Sequence, residues 1–419
     1  MGLFSPGCRK RCSGALVARG IGMKRKPLVV RTRGLAATVA LLVIVLAAAA
    51  AIVTRTSAKA REAAAGERAH LPRFLVGADV SDFGYIESHG GVYRLDGKPM
   101  ALPRIFRRAG CNTLRLRLWH DASSREKARL GLYNTLNTID YTLPLAARIM
   151  KSGVSFVLNM HLSDTWADPQ KQRTPYDWRG LGYRMLRRRV FNYTKQVMIR
   201  FREAHAMPAI VMVGNEVNHG ILWPLGKLKP HDPRSWQRFT GLLKSAIAGV
   251  DAGSGSRKPQ IMIQVGNFTR PRPVVRFFSK LVAADVPFDL IGYDYYPYWG
   301  GPTANLRRNL RALAVSIGKP IIVAETAYPW SKEHNKSWAA KAGMTYPFSP
   351  QGQRAYIAHV IAIVKALPNH LGRGVWWWGA EFTADQRMFL RAPWSYRSLF
   401  DSRGNALPAL RTLCSAAVP

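Results

Sequence analysis

AIVMVGNE occupies residues 209–216 and PIIVAE residues 320–325. Each is a short apolar run with β-branched residues, the composition of a buried strand. Each ends on a glutamate, Glu216 and Glu325. Packing does not call for that ending, because an unpaired charge is costly to bury. Taken singly, each glutamate could cap a following helix or pair with an arginine. Two such endings in one chain point instead to strands whose ends converge on one place.

Outward from these two, runs of the same kind recur: FLVGADV (74–80), NTLRLRLW (112–119), VSFVLNMH (154–161), IMIQVGN (261–267), DLIGYDYY (289–296) and GVWWWG (374–379). Helix-patterned segments such as YTLPLAARIMKSG (141–153) and GQRAYIAHVIAIVKAL (352–367) lie between them. Strand and helix alternating eight times predict an α/β fold, a single (β/α)8 TIM barrel over residues 74–415. An open doubly wound sheet is the alternative, but no GxGxxG or P-loop marks one.

The polar residues gather at the ends of these runs: Asp79, Arg117, His161, Asn215 with Glu216, Asn267, Tyr296 and Glu325. Barrel chemistry sits at the C-terminal ends of the strands. Two carboxyl groups facing one bond are what glycoside hydrolysis needs, and the retaining route sets them about 5–5.5 Å apart. Glu216 is the expected general acid and then base, and Glu325 the expected nucleophile. Asn215 can hydrogen-bond a sugar 2-hydroxyl. Arg115 and Arg117 share a face, and an arginine beside Glu325 would keep it ionised; a structural ion pair is the plainer reading of both. Tyr295 and Tyr296 point to opposite faces, so one of them reaches the site, and alternation selects Tyr296. Trp378 is a candidate sugar-stacking floor or a packed core residue. His161, Asp164 and Asp168 raise the thought of a metal, but no second histidine lies at ligand spacing. His161 is expected to hydrogen-bond the sugar or the acid. No cofactor and no metal are expected.

At this point the chain resembles glycoside hydrolase family 53. The resemblance is carried by HLSDTWADPQKQ (161–172), VGNEVNHGILWPLG (213–226), YYPYW (295–299) and VAETAYPW (323–330). GADVSDF (77–83), RLRLW (115–119), FNYTK (191–195) and LFDSRGNALPAL (399–410) agree with it. It covers residues 74 to about 411. It implies an endo-β-1,4-galactanase of the large retaining clan, with Glu216 as acid/base and Glu325 as nucleophile. The expected substrate contacts are Asp79, Arg117, His161, Asp164, Trp166, Asn215, Tyr296 and Trp378. Two departures bear on the substrate. GNFTR (266–270) stands where the family has an Asp-Asn-Gly stretch, and Trp378 is followed by Gly379-Ala380-Glu381 rather than Glu-Pro. Another polysaccharide, or a barrel that binds polysaccharide without cutting it, is the alternative.

The 419 residues include 62 Lys and Arg against 24 Asp and Glu, a formal charge of +38. Such an excess calls for an anionic neighbour. No helix-turn-helix, zinc-finger or RNP-like motif supports nucleic acid. Residues 1–33 hold nine of the cations and no acid, and residues 35–53, LAATVALLVIVLAAAAAIV, carry no charge. That stretch is long enough to span a bilayer core. The expected organisation is a basic cytoplasmic segment (1–33), a transmembrane signal-anchor helix (34–54), a stalk (55–73) and an extracytoplasmic barrel, periplasmic or extracellular. A cleaved signal ending near Ala58-Lys59-Ala60, which would secrete the protein, is the alternative. The barrel is expected to be a monomer whose partners are a polysaccharide and, through residues 35–53, the membrane. Lys171, Arg173 and Arg270 are expected to rim the cleft and to favour an acidic polymer. Cys8, Cys12, Cys111 and Cys414 form no CxxC pair and suggest no disulfide framework, with Cys111 in the core.

Overall fold

The computed structural model describes residues 68–121, 123–131, 136–333, 335–383 and 392–417. Eight strands form a closed, wholly parallel barrel: β1 (Leu75–Asp79), β2 (Thr113–Leu118), β3 (Ser155–Met160), β4 (Ile210–Val213), β5 (Gln260–Gly266), β6 (Leu290–Asp294), β7 (Ile321–Thr326) and β8 (Gly372–Trp377). Each pairs with its sequence neighbour, and β8 returns to β1 through Leu75↔Gly374 and Ala78↔Trp377. The eight runs read from the sequence are these eight strands.

Eight main helices connect them: α1 (Leu102–Ala109), α2 (Ile139–Lys151), α3 (Tyr183–Glu203), α4 (Pro233–Ser254), α5 (Pro271–Ala283), α6 (Thr303–Ile317), α7 (Pro350–Lys365) and α8 (Pro408–Ser415). Proline opens α4, α5, α7 and α8, where its missing N–H costs nothing and its fixed φ suits the first turn. Ser349 caps α7 by accepting from the Gly352 N–H at 3.1 Å. Gly110 and Gly318 end α1 and α6 in the left-handed region.

Alternation along the strands divides the interior in two. Leu114, Leu116 and Leu118 of β2, with Val211 and Val213 of β4, face the helices and join the large outer core. Leu75, Val157, Met212, Met262, Leu290, Ile322 and Trp376 face inward and fill the lower barrel. Above that apolar plug the inward positions turn polar: Asp79, Arg115, Arg117, Asn159, Gln264 and Asp294 are all buried. All strands being parallel, this polar layer sits under one rim, formed by their C-terminal ends.

Three sequence expectations need revision or lie elsewhere. Residues 68–73, assigned to a stalk, belong with the barrel. Arg68 pairs with Asp251 at 2.9 Å and Asp289 at 3.5 Å, and Leu71 joins the apolar floor. Cys111 and Cys414 are joined in a disulfide across 303 residues, a pairing that their spacing did not suggest. No helix among the described residues is long and apolar enough to cross a membrane. The expected cytoplasmic segment and anchor (1–54), with most of the stalk, lie outside the described residues.

Candidate active site

Local backbone geometry aims both glutamates inward. After β4 ends at Val213, Gly214 (φ 81°) and Glu216 (φ 44°) both take left-handed conformations. The turn suits glycine at 214, where an added Cβ would meet Val217 Cγ1 at 2.5 Å. On β7, strict alternation would turn Glu325 outward with Ile321 and Val323. The pairing instead slips by one residue, from Tyr293↔Val323 to Asp294↔Glu325. This bulge lets Ala324 and Glu325 both face the barrel axis.

Three donors converge on Glu325. Arg115 Nη2 donates to Oε1 at 2.5 Å, Gln264 Nε2 donates to the same oxygen at 3.0 Å, and the Tyr296 hydroxyl donates to Oε2 at 2.8 Å. Burial alone would lower the Arg115 guanidinium, but Glu325, Asp79 and Asp294 outweigh it and hold the group above its usual range. Burial and the neighbouring carboxylates push the Tyr296 phenol well up, so it stays a donor. Tyr295 points the other way, giving its hydroxyl to Gly301 O at 2.6 Å.

Glu216 has a different environment. Among the described residues its carboxyl receives one long contact, Asn267 Nδ2 to Oε1 at 3.4 Å. Burial first, then the charges of Glu325 and Asp168, raise it well above the usual carboxylate range, with Arg115 opposing. A third carboxyl, Asp294, is also raised, by burial and then by Glu325 and Glu216. It accepts from Gln264 Nε2 at 2.5 Å. One carboxyl raised above its usual range beside another held by three donors is the arrangement that separates an acid from a nucleophile.

A cavity of about 530 Å3 opens above the pair and is lined by Glu216, Glu325, Arg117, His161, Trp166, Asn215, Tyr296 and Trp378 among others. Arg117 lies over the Trp166 ring at 4.5 Å and binds Asp79 at 2.9 Å and Asp82 at 2.6 Å. His161 is lowered well below its usual range by burial, then by Arg117 and Arg115. Its Nδ1 accepts from the Ala167 N–H at 3.2 Å, which leaves the proton of the neutral ring on Nε2. Asn215 donates to Ala167 O at 2.8 Å, and its Oδ1 lies 2.7 Å from the Asn159 amide.

Two sequence candidates lie behind the wall rather than in it. Asp79 is buried between Arg115 (3.0 Å) and Arg117. Asp164 bonds His120 at 2.8 Å and the Tyr176 N–H at 2.7 Å. Four contributors went unread. Gln264 and Asp294 share the inward face of their strands with apolar residues, so alternation was their only signal. Trp299 and Trp394 lie on four-residue helices (Pro297–Gly300 and Ala392–Ser395), too short to carry a periodic signal, and they line the same cavity.

Paired carboxyl groups on the fourth and seventh strands of a (β/α)8 barrel, under an aromatic cleft, define a glycoside hydrolase site. A family model, glycosyl hydrolase family 53, matches residues 75–413, and the chain belongs to that family. An uncharacterized protein in the bgaB 5' region of Niallia circulans is 36% identical over 81% of this chain and 93% of its own length. A probable arabinogalactan endo-beta-1,4-galactanase A of Neosartorya fischeri is 35% identical over 72% of this chain and 82% of its own. The GH53 catalytic domain of Ignisphaera aggregans superposes with a TM-score of 0.73 at 30% identity, covering 83% of this chain and 98% of that one.

Proposed function

We propose that the protein is a retaining endo-β-1,4-galactanase that works through a glycosyl-enzyme intermediate. The observation that carries this is the unequal treatment of the two carboxyls. Glu216 is buried with a single long hydrogen bond among the described residues and is raised well above the usual carboxylate range, whereas Glu325 is gripped by Arg115, Gln264 and Tyr296. Glu216 protonates the departing glycosidic oxygen while Glu325 attacks the anomeric carbon from the opposite face. Glu216, now a carboxylate, then draws a proton from water as that water displaces Glu325. Asn215 and His161 Nε2 offer donors to sugar hydroxyls, and Trp166 and Trp378 offer flat apolar faces.

The test is hydrolysis of β-1,4-galactan followed by NMR. The β-anomer should appear first and then mutarotate. First release of the α-anomer would exclude retention, and cleavage of another polymer in place of galactan would exclude the substrate. Glu325→Ala should abolish turnover, with azide restoring it as a glycosyl azide. Glu216→Ala should cost about 10²–10⁴-fold on polymer but much less on substrates with good leaving groups.

We further propose that residues 35–53 anchor the chain, leaving the barrel outside the cytoplasm. The Cys111–Cys414 disulfide supports an oxidising compartment. The full chain should then stay with membranes through a carbonate wash. Release by carbonate, or a mature N-terminus near residue 61 in the medium, would rule out the anchor.

A further inference from the structure

The catalytic cavity adjoins a larger one, of about 1010 Å3, and the two share Gln170 and Lys171 as lining residues. The second cavity is walled by the loops that follow β2, β3 and β4. Among the described residues its polar wall presents Arg129, Lys171, Arg173 and Arg179, with Trp223 beside them and no acidic side chain.

We propose that this annex is a subsite for carboxylate-bearing sugar residues of the polymer. The inference deepens the galactan-cleaving reading above and rests on it. Charge is the first argument. Two carboxylates stand behind the four cations. Glu126 accepts from Arg129 at 2.5 Å and lies 3.5 Å from Arg179; Asp168 lies 3.3 Å from Lys171. Glu126 is held below the usual carboxylate range by its Arg129 hydrogen bond and, against the effect of burial, by the charges of Arg129, Arg179 and Arg173. One buried acid thus answers to three arginines. Arg173 is exposed, and its guanidinium is in no ion pair or hydrogen bond among the described residues.

Recognition chemistry is the second argument. A guanidinium fork matches a carboxylate in two parallel hydrogen bonds, and no neutral sugar hydroxyl returns that energy. A neutral galactan chain would cover these cations and strip their water without compensation. A chain carrying occasional uronate groups would pair with them. The half-buried Trp223 carries Lys227 Nζ 4.2 Å from its ring centroid, a further cation beside the annex. Position is the third argument, since Gln170 and Lys171 line both cavities, so a polymer that passes them from the catalytic cleft meets the annex.

The test compares unmodified β-1,4-galactan with galactan partly oxidised to carboxylate at C6, using the full chain. Arg173→Glu is the variant and Arg173→Lys its conservative counterpart. Arg108→Glu is the control for bulk charge, taken from a separate groove between α1 and α2 lined by Arg104, Arg107 and Arg108. At low salt the wild type should show a kcat/KM about tenfold higher on the oxidised polymer, mostly through KM. Arg173→Glu should lose about that factor on the oxidised polymer and leave neutral galactan unchanged. Arg173→Lys should fall between, keeping the charge without the fork. Arg108→Glu should alter neither. Equal loss on both polymers, or equal effects of Arg173→Glu and Arg108→Glu, would overturn the subsite. If neither polymer is cut, the galactanase reading fails separately, and retardation in gels containing the oxidised galactan decides the annex. Retardation lost in Arg173→Glu and kept in Arg108→Glu supports it, and identical mobility of the two overturns it.

Discussion

Gly266, at the end of β5, leaves the acid almost no spare room. A Cβ there would fall 2.0 Å from Glu216 Oε1 and 3.0 Å from its Cδ. In Gly266→Ala the carboxyl must swing aside, which its flexible stem permits without unfolding the barrel. Misplacing a catalytic group by about 1 Å can cost on the order of 10²-fold, so kcat/KM should fall by about that factor with Tm nearly unchanged. Unimpaired kinetics would mean that the acid works from another rotamer. Asp168 acts on the same carboxyl at longer range, because its charge helps to raise Glu216. Its Oδ1 also accepts from the Gln170 and Lys171 N–H groups, a role that an asparagine oxygen can keep. With that charge removed, Glu216 gives up its proton at lower pH. The alkaline limb of the kcat/KM profile should therefore move to lower pH in Asp168→Asn, and a move upward would contradict the electrostatics. The two glutamates were legible because each ends an apolar run with a charge that packing does not need. Gln264, which bridges Glu325 and Asp294, was not legible, because a neutral polar residue inside a strand carries no comparable cost to notice.

Among the elements, β1 to β8 could be read from composition because a barrel strand is covered on both faces and shows as a continuous apolar run. The bulge in β7 could not, since it depends on how three strands are paired rather than on residue type. The contact between α3 and α4 was hidden for a similar reason. An added Cβ at Gly249 would lie 2.1 Å from Thr194 Oγ1 and 2.3 Å from Phe191 O, and one at Gly253 would lie 2.3 Å from Lys195 O. Thr194 Oγ1 donates across the contact to Ala246 O at 2.9 Å. Two glycines one turn apart on α4 thus let the helix backbones approach closely, although glycine in a helix costs roughly 1 kcal/mol relative to alanine. Gly249→Ala should consequently destabilise the barrel by about 1–3 kcal/mol through overpacking, despite its better helix propensity. Denaturant unfolding measures this, and a stabilised variant would show that the helices can separate at little cost.

For the whole molecule, the disulfide is the feature that the sequence concealed most fully. Cys111 follows α1 just ahead of β2, and Cys414 lies in α8, so one bond ties the second strand's approach to the last helix of the barrel. Nothing local in a chain marks a partner 303 residues away. A cross-link closing so long a loop restricts the unfolded chain far more than the folded one, and its loss typically costs roughly 2–5 kcal/mol. For a domain of this size that corresponds to a fall in Tm on the order of 3–7 °C. The bond lies at the end of the barrel where strands begin, whereas Glu216 and Glu325 stand where strands end. Replacing both cysteines by serine should accordingly lower Tm while leaving kcat/KM at 25 °C within about twofold of the wild type. Calorimetry with and without reductant, beside steady-state kinetics, separates the two effects. A double variant as stable as the wild type, with reductant also without effect, would mean that the mature protein carries these cysteines as thiols. The case for an oxidising compartment would then rest on the apolar segment at residues 35–53 alone.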